Sequence, residues 1–537
     1  MFELDLRERP FTDRLSRLLV MRAENGSLWI ARAEYETPLS QTTLFTGLRV
    51  YRGGEELPIR RARPGGIEFD GGVRLAFANP DTLVLAGQDA RAVWDGGGAA
   101  IDGHFVLTGH LNDGDVLGGD WQKWFDLLPP TRADLRERAA MAWWTLGINQ
   151  LTIQNRVGVV PSKYGYVALW NWDSYFHAIA LRHVDPALAR EQIRILLDSQ
   201  RPDGMIPDVV HDHGALYETT DLPQSDHARL AQHVGTANGA RPEHVAVPVT
   251  KPPLTAWAVW KIHTVAPDLE FLREVYPKLV AAQHWWFAAS DPDGDGLAEY
   301  LHPYSSGLDD SPIWDYGPRA EPPDLNSYLV HQFDVLADIA DALGLDGHEH
   351  REAAERLTAL MIARRWNGNR FVTLAGGSEV PVKTPLRLMP LFTGRLPADI
   401  ARALVDDLLS ASFWGDRPVP TVAFDDAAFD PERMWRGPVW LNINYLLIDG
   451  LRRSGFAAEA DELRQRTLAM VRDGGGIYEY WNPLTGQRAG RATSGFGWSA
   501  ALFLDLARGH PDAGCSGSAR LTVHGDAPRS RGSADAG

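Results

Sequence analysis

The spacing of apolar residues changes period at Pro129-Pro130, and that change limits what the chain can fold into more than any other feature. Before it, LLVMRAENGSLWIARAEY has two alternating runs around an Asn-Gly pair, a hairpin signature. LFTGLRVYRGGEELPI, GGIEFDGGVRLAFA, TLVLAG, RAVWD and HFVLTG continue with short strands broken by Gly and Asp. This spacing predicts a smaller N-terminal β-sandwich domain over residues 1–125. After the prolines, about eleven segments carry helical spacing, with Pro or Gly between most of them. Long polar loops rich in Trp, Asp, Gly and Pro join alternate helix ends, and long loops in a compact domain are usually functional. Residues 126–511 are therefore expected to form a closed toroid of six inner and six outer helices, making the fold mainly α. A superhelical solenoid competes, but no repeat of about 34 or about 40 residues supports it. The Gly-, Ser-, Ala- and Arg-rich tail 512–537 is expected to be disordered.

Charge and cysteine usage exclude several functions. A formal net charge of −17 disfavours nucleic acid as a partner, since phosphates are met by clustered Lys and Arg. No apolar run approaches the ~20 residues that span a bilayer, so no membrane partner is expected. Cys515 is the single cysteine, which excludes a disulfide framework and a cysteine metal site. With a charged start, MFELDLRERP, this predicts a reducing, cytoplasmic location. Nothing in the sequence specifies an oligomeric state. The 19 tryptophans say more, since all but Trp29 and Trp94 lie beyond residue 120. Indole faces pack on the C–H faces of sugars, so a small carbohydrate is the expected substrate. Any single Trp can equally be a large core residue.

Three loops carry acids among aromatics. In ALWNWDSYFHAIAL, Trp172 and Asp173 stand at a helix start, where Asp173 and Ser174 are good N-caps. YLHPYSSGLDDSPIWD sets Asp309, Asp310 and Asp315 among Tyr304, Ile313 and Trp314. In GGGIYEYWNPLTGQ, Glu479 is flanked by Tyr478, Tyr480 and Trp481. An acid embedded in aromatics is either a costly buried group or a catalytic one with a tuned pKa.

In order, WNWDSYFHAIAL, SGLDDSPIWD, MWRGPVWLNINYLL, YEYWNPLTGQ and FGWSAALFLDL resemble the motifs of glycoside hydrolase family 63. The likeness is closest to its bacterial mannosylglycerate and glucosylglycerate hydrolase branch. It spans about residues 130 to 510, and the motifs in one order are far more specific than Trp-Asp-Ser alone. The resemblance implies an (α/α)6 barrel and inverting hydrolysis of small α-linked glucosides or mannosides. It maps the general acid to Asp309 and the general base to Glu479. Trp172, Asp173, Trp435 and Arg436 would then hold the non-reducing sugar, and Tyr304, Trp314 and Trp481 would form further walls. Two positions depart from the pattern. Asp309-Asp310 stands where the family often has Asp-Asn, so either acid could act. Lys251-Pro252-Pro253 stands where Gln-Pro-Pro or similar is usual, so Lys251 either meets an anionic substrate group or is merely solvated at the rim.

No cofactor is required by such chemistry. DPDGDGLAEY places Asp291, Asp293, Asp295 and Glu299 in one loop, which could hold a structural calcium ion or simply cap the next turn. The spacing is not that of an EF-hand, whose bidentate Glu comes at position twelve. A glycoside phosphorylase on the same barrel would lack the water-activating Glu479. A non-catalytic sugar-binding protein would lack one of the two carboxylates. A terpene cyclase would need more than Asp309-Asp310 as its metal motif.

Overall fold

The computed structural model describes residues 2–223 and 246–508, so the predicted tail and Cys515 lie outside the described residues. The chain is mainly helical with a β-rich N-terminal region.

That region contains β1 (Leu18–Arg22), β2 (Leu28–Arg32), β3 (Thr43–Arg52), β4 (Glu55–Glu56), β5 (Ile59–Arg63), β6 (Gly66–Phe69), β7 (Arg74–Asn79), β8 (Thr82–Trp94) and β9 (Gly97–Val106). In place of the two separate sheets of a sandwich, hydrogen bonding joins all nine strands into one sheet, ordered β1-β2-β3-β8-β7-β6-β5 with β4 on β3 and β9 on β8. The cause is the length of β8. Its first half pairs with β7, from Arg74↔Ala86 to Asn79↔Thr82, and its second half with β3, from Arg49↔Val93 to Tyr51↔Arg91. β9 follows β8 on the other side, with a register shift between Gly87 and Ala90. One bulged strand thus changes partners midway, the device by which sheets turn corners. The predicted Asn25-Gly26 hairpin is present, with Leu18↔Arg32 to Arg22↔Leu28 in register.

The helical segments pack as a ring. Asn171–Leu181 packs on Thr255–Val265, then come Pro323–Ala342, the 3-10 segment Pro385–Thr393, Leu441–Arg453 and Gly497–Ala507, which returns to Asn171–Leu181. Outside them lie Arg136–Ile148, Pro186–Asp198, Leu269–Ala289, His348–Arg365, Ala398–Leu408 and Ala457–Asp473, each against an inner segment. The sequence explains the two layers. Every residue of Asn171–Leu181 and of Gly497–Ala507 is buried, as expected of helices apolar nearly all round. Ala398–Leu408 instead buries one stripe, Ile400, Ala401, Leu404, Val405 and Leu408. The inner segment Pro385–Thr393 escaped helical periodicity because Pro390 interrupts it, and it forms a 3-10 helix.

Buried charge inside the ring is paired. Asp505 of the last helix meets Arg182 at 3.1 Å, His183 at 2.8 Å and the Tyr445 hydroxyl at 2.6 Å. Arg182 and these hydrogen bonds outweigh burial and hold its carboxyl well below the usual range. Among the described residues no helix is long and apolar enough to cross a membrane.

Candidate active site

The acid-bearing loops lead into the N-termini of inner segments. WNWD opens Asn171–Leu181, the Asp309 loop precedes Pro323–Ala342, MWRGPVW precedes Leu441–Arg453, and the Glu479 loop precedes Gly497–Ala507. They gather beside a cleft of about 680 Å³ whose walls include Asp309, Lys251, Tyr304, Asp208, Tyr166 and Thr493.

Glu479 is buried and does not itself line this cleft, but it is gripped by two groups that do. The Tyr166 hydroxyl donates to its Oε1 at 3.0 Å, and the Thr493 N–H donates to its Oε2 at 2.9 Å. The Glu479 N–H returns a bond to the Thr493 carbonyl at 2.9 Å. Two strands of loop thereby fix the carboxylate with both oxygens engaged.

Asp309 and Asp310 have different surroundings. Asp309 is part-exposed in the cleft wall. Asp310 is buried; its Oδ1 accepts from the Trp435 N–H at 2.9 Å and its Oδ2 from Arg433 at 3.2 Å. Its carbonyl also accepts from Arg436 Nε at 2.9 Å. Asp310 therefore ties the MWRGPVW loop to the Asp309 loop. Gly307 sets the approach. Its φ of 71° suits glycine, and a Cβ there would collide with the Trp172 ring.

Lys251 is buried, contrary to a solvated rim lysine. It pairs with Asp208 at 2.7 Å and donates to the Tyr304 carbonyl at 2.6 Å. Burial lowers its pKa, but Asp208, Asp309 and Asp173 outweigh this and raise it. Asp173 is also buried and is not the N-cap: Trp170 occupies that position, and Ser174 Oγ donates back to the Trp170 carbonyl. Burial pushes the Asp173 carboxyl well above the usual range; Lys251 opposes this and Glu479 adds to it. One lysine thus sits in the common field of Asp173, Asp208 and Asp309, with Glu479 acting on Asp173.

Most of the predicted sugar-covering groups do other work. Trp172, Trp314, Trp435 and Trp481 are at most 2% exposed and are not among the residues lining the cleft. Trp435 stacks on Trp440 with centroids 3.6 Å apart, Trp440 stacks on Tyr480 at 4.6 Å, and Trp172 stands 6.3 Å from Trp435. This aromatic column packs the motif loops against each other. Trp314 Nε1 donates to the Leu308 carbonyl at 2.8 Å, bracing the residue before Asp309. Arg436 forms a two-pronged pair with Asp315, both bonds at 2.7 Å. The aromatic rings that do line the cleft include Trp29, Tyr35, Tyr164, Tyr166 and Trp170. Sequence reasoning missed these and Asp208; only Trp170 and Tyr166 lie beside a motif that could have flagged them.

Asp291, Asp293 and Asp295 bring carboxylate oxygens within 4.8 Å of one another, without Glu299. Glu299 is directed toward Arg319 at 3.9 Å. The three aspartates accept backbone N–H bonds of residues 295–297, and Asp295 pairs with Arg365 at 2.8 Å. Local N–H groups and an arginine thus already engage these carboxylates, as turn capping requires.

A mannosylglycerate hydrolase MGH1-like glycoside hydrolase domain matches residues 166–499. A mannosylglycerate hydrolase of Thermus thermophilus is 31% identical over 415 residues, 64% of this chain and 95% of that protein. A glucosylglycerate hydrolase of Mycolicibacterium hassiacum is 26% identical over 417 residues, 63% of this chain and 92% of that protein. The crystal structure of a GH63 mannosylglycerate hydrolase from Thermus thermophilus in complex with Tris and D-glycerate superposes with a TM-score of 0.57 at 27% identity, covering 69% of this chain and all of that one. With its motif loops gathered in family order around one cleft, the chain belongs to the mannosylglycerate hydrolase-like glycoside hydrolases of family 63.

Proposed function

We propose that this glycosidase cleaves a small α-linked glucoside or mannoside with inversion, Asp309 acting as general acid and Glu479 as general base. The ring of six inner and six outer segments is read as the (α/α)6 barrel. The observation that carries the proposal is the contrast of the two acids around one cleft. Asp309 is part-exposed in the wall, and buried Glu479 is held by Tyr166 and Thr493, which line the same cleft. Inversion requires an acid to protonate the leaving oxygen and a separate carboxylate to take a proton from water, roughly 6.5–9.5 Å away. Asp310, committed to Arg433 and the Trp435 N–H, is the positioning residue, and Lys251 with Asp208 and Asp173 orders the charge around the acid. No cofactor takes part in bond cleavage. The lone cysteine supports a cytoplasmic location.

Glucosylglycerate, mannosylglycerate and α-gluco-oligosaccharides all suit this pair of acids. Incubation with a panel of these, scored by release of free hexose, tests the reading. Release from at least one, abolished in Glu479→Gln, supports it; full activity in Glu479→Gln contradicts it.

A further inference from the structure

Part of the cleft wall comes from outside the family match, which begins at residue 166. Trp29 of β2 and the segment 34–40 that follows it line the same cleft as Asp309. Their place is fixed by domain docking. Arg17 pairs with Asp212 at 2.6 Å and with Glu34 at 3.3 Å, while buried Lys163 donates to the Asp13 carbonyl at 2.8 Å. The Tyr35 ring stacks on His211, centroids 4.6 Å apart and planes within 7°, and stands 6.2 Å from Trp170. Trp29, Tyr35 and Trp170 all keep part of their surface open.

We propose that the N-terminal domain supplies the leaving-group side of the site, and that the leaving group it takes is a second sugar ring. Aromatic side chains offer large, rigid faces against which the C–H faces of a pyranose pack. Here they come from both parts of the chain and line one cleft with the acid that must protonate the linking oxygen. The cleft, about 680 Å³, lies in the middle of the range for small-molecule sites, which leaves room beyond a single ring. The inference rests on Asp309 and Glu479 being the acid and base, and it narrows the substrate to an α-linked disaccharide or longer.

The test compares full-length wild type, Trp29→Ala, Tyr35→Ala and Tyr35→Phe on an α-linked disaccharide and on the matching α-glycosyl fluoride, which has no sugar to leave. Each alanine variant should lose roughly tenfold in kcat/KM on the disaccharide, the factor that about one stacking contact brings, and far less on the fluoride. Tyr35→Phe, which keeps the ring, should retain disaccharide activity. Equal losses on both substrates, unchanged disaccharide turnover in both alanine variants, or a wild type that cleaves glycosylglycerates but no disaccharide would overturn the proposal. Trp29 and Tyr35 sit on different segments, so a folding failure in one leaves the other readable. Failure of the underlying acid-base reading looks different: wild type would hydrolyse neither substrate, or Glu479→Gln would hydrolyse both.

Discussion

On the floor of the cleft, Glu479 is held through hydrogen bonds to both carboxylate oxygens, and the loops around it are packed by the Trp172-Trp435-Trp440-Tyr480 column. At the rim, Tyr35 is held by stacking on His211, and its segment by the Arg17 ion pairs. The floor residues all lie inside the family match, and the N-terminal rim lies wholly outside it. On the proposed reading the difference separates two jobs. Directional bonds to Glu479 would fix proton-transfer geometry, where small displacements are costly. Stacking and docking at the rim would shape what can leave, so that a lost contact there weakens binding without disabling the chemistry.

That division predicts a graded set of effects. Glu479→Gln, at the floor, should lower kcat by about 10²–10⁴-fold on every substrate, because the amide keeps the shape but takes no proton; equilibrium binding of the substrate should persist. Asp309→Asn should lose comparably on glycosides with poor leaving groups and retain much of its rate on glycosyl fluorides, which need little protonation. Asp310→Asn should chiefly lower stability, since it weakens a buried charged hydrogen bond worth about 1.5–3 kcal/mol, with fluoride and glycoside turnover changed alike. If Asp310→Asn shows the leaving-group dependence instead, the acid is Asp310. Tyr166→Phe removes a hydrogen bond to the proposed base, so kcat should fall roughly tenfold, in proportion to about 1.4 kcal/mol of lost positioning, with little change in KM. An unchanged kcat would move Tyr166 out of the floor. The smallest effect concerns the Asp291-Asp293-Asp295 turn: EDTA should leave the melting temperature unchanged, and a clear drop would make the turn a calcium site after all.

The same contrast explains what could be read beforehand. The helical segments were legible because their apolar spacing is strong, and so were the acids of WNWD, SGLDD and YEYW because their spacing forms a family pattern. Pro385–Thr393 was not, because Pro390 breaks the period while tertiary packing still seats the segment in the ring. The single sheet was missed because β8 changes partners at mid-length, a fact of pairing rather than of pattern. Composition cannot tell an indole that covers a sugar from one that props a loop: Trp172, Trp314, Trp435 and Trp481 are buried, whereas Trp29 and Trp170 line the cleft. Tyr35 and Trp29 reach the cleft through domain docking, which leaves no periodic trace in the chain.

The central claim, that Glu479 activates water opposite Asp309 rather than attacking carbon, is tested most directly by proton NMR during the first moments of α-glycoside hydrolysis. Inversion requires the β-anomer of the released sugar to appear first, ahead of mutarotation, with no glycosyl adduct on the protein by mass spectrometry. Initial release of the α-anomer, or a sugar covalently bound to the chain, would contradict it.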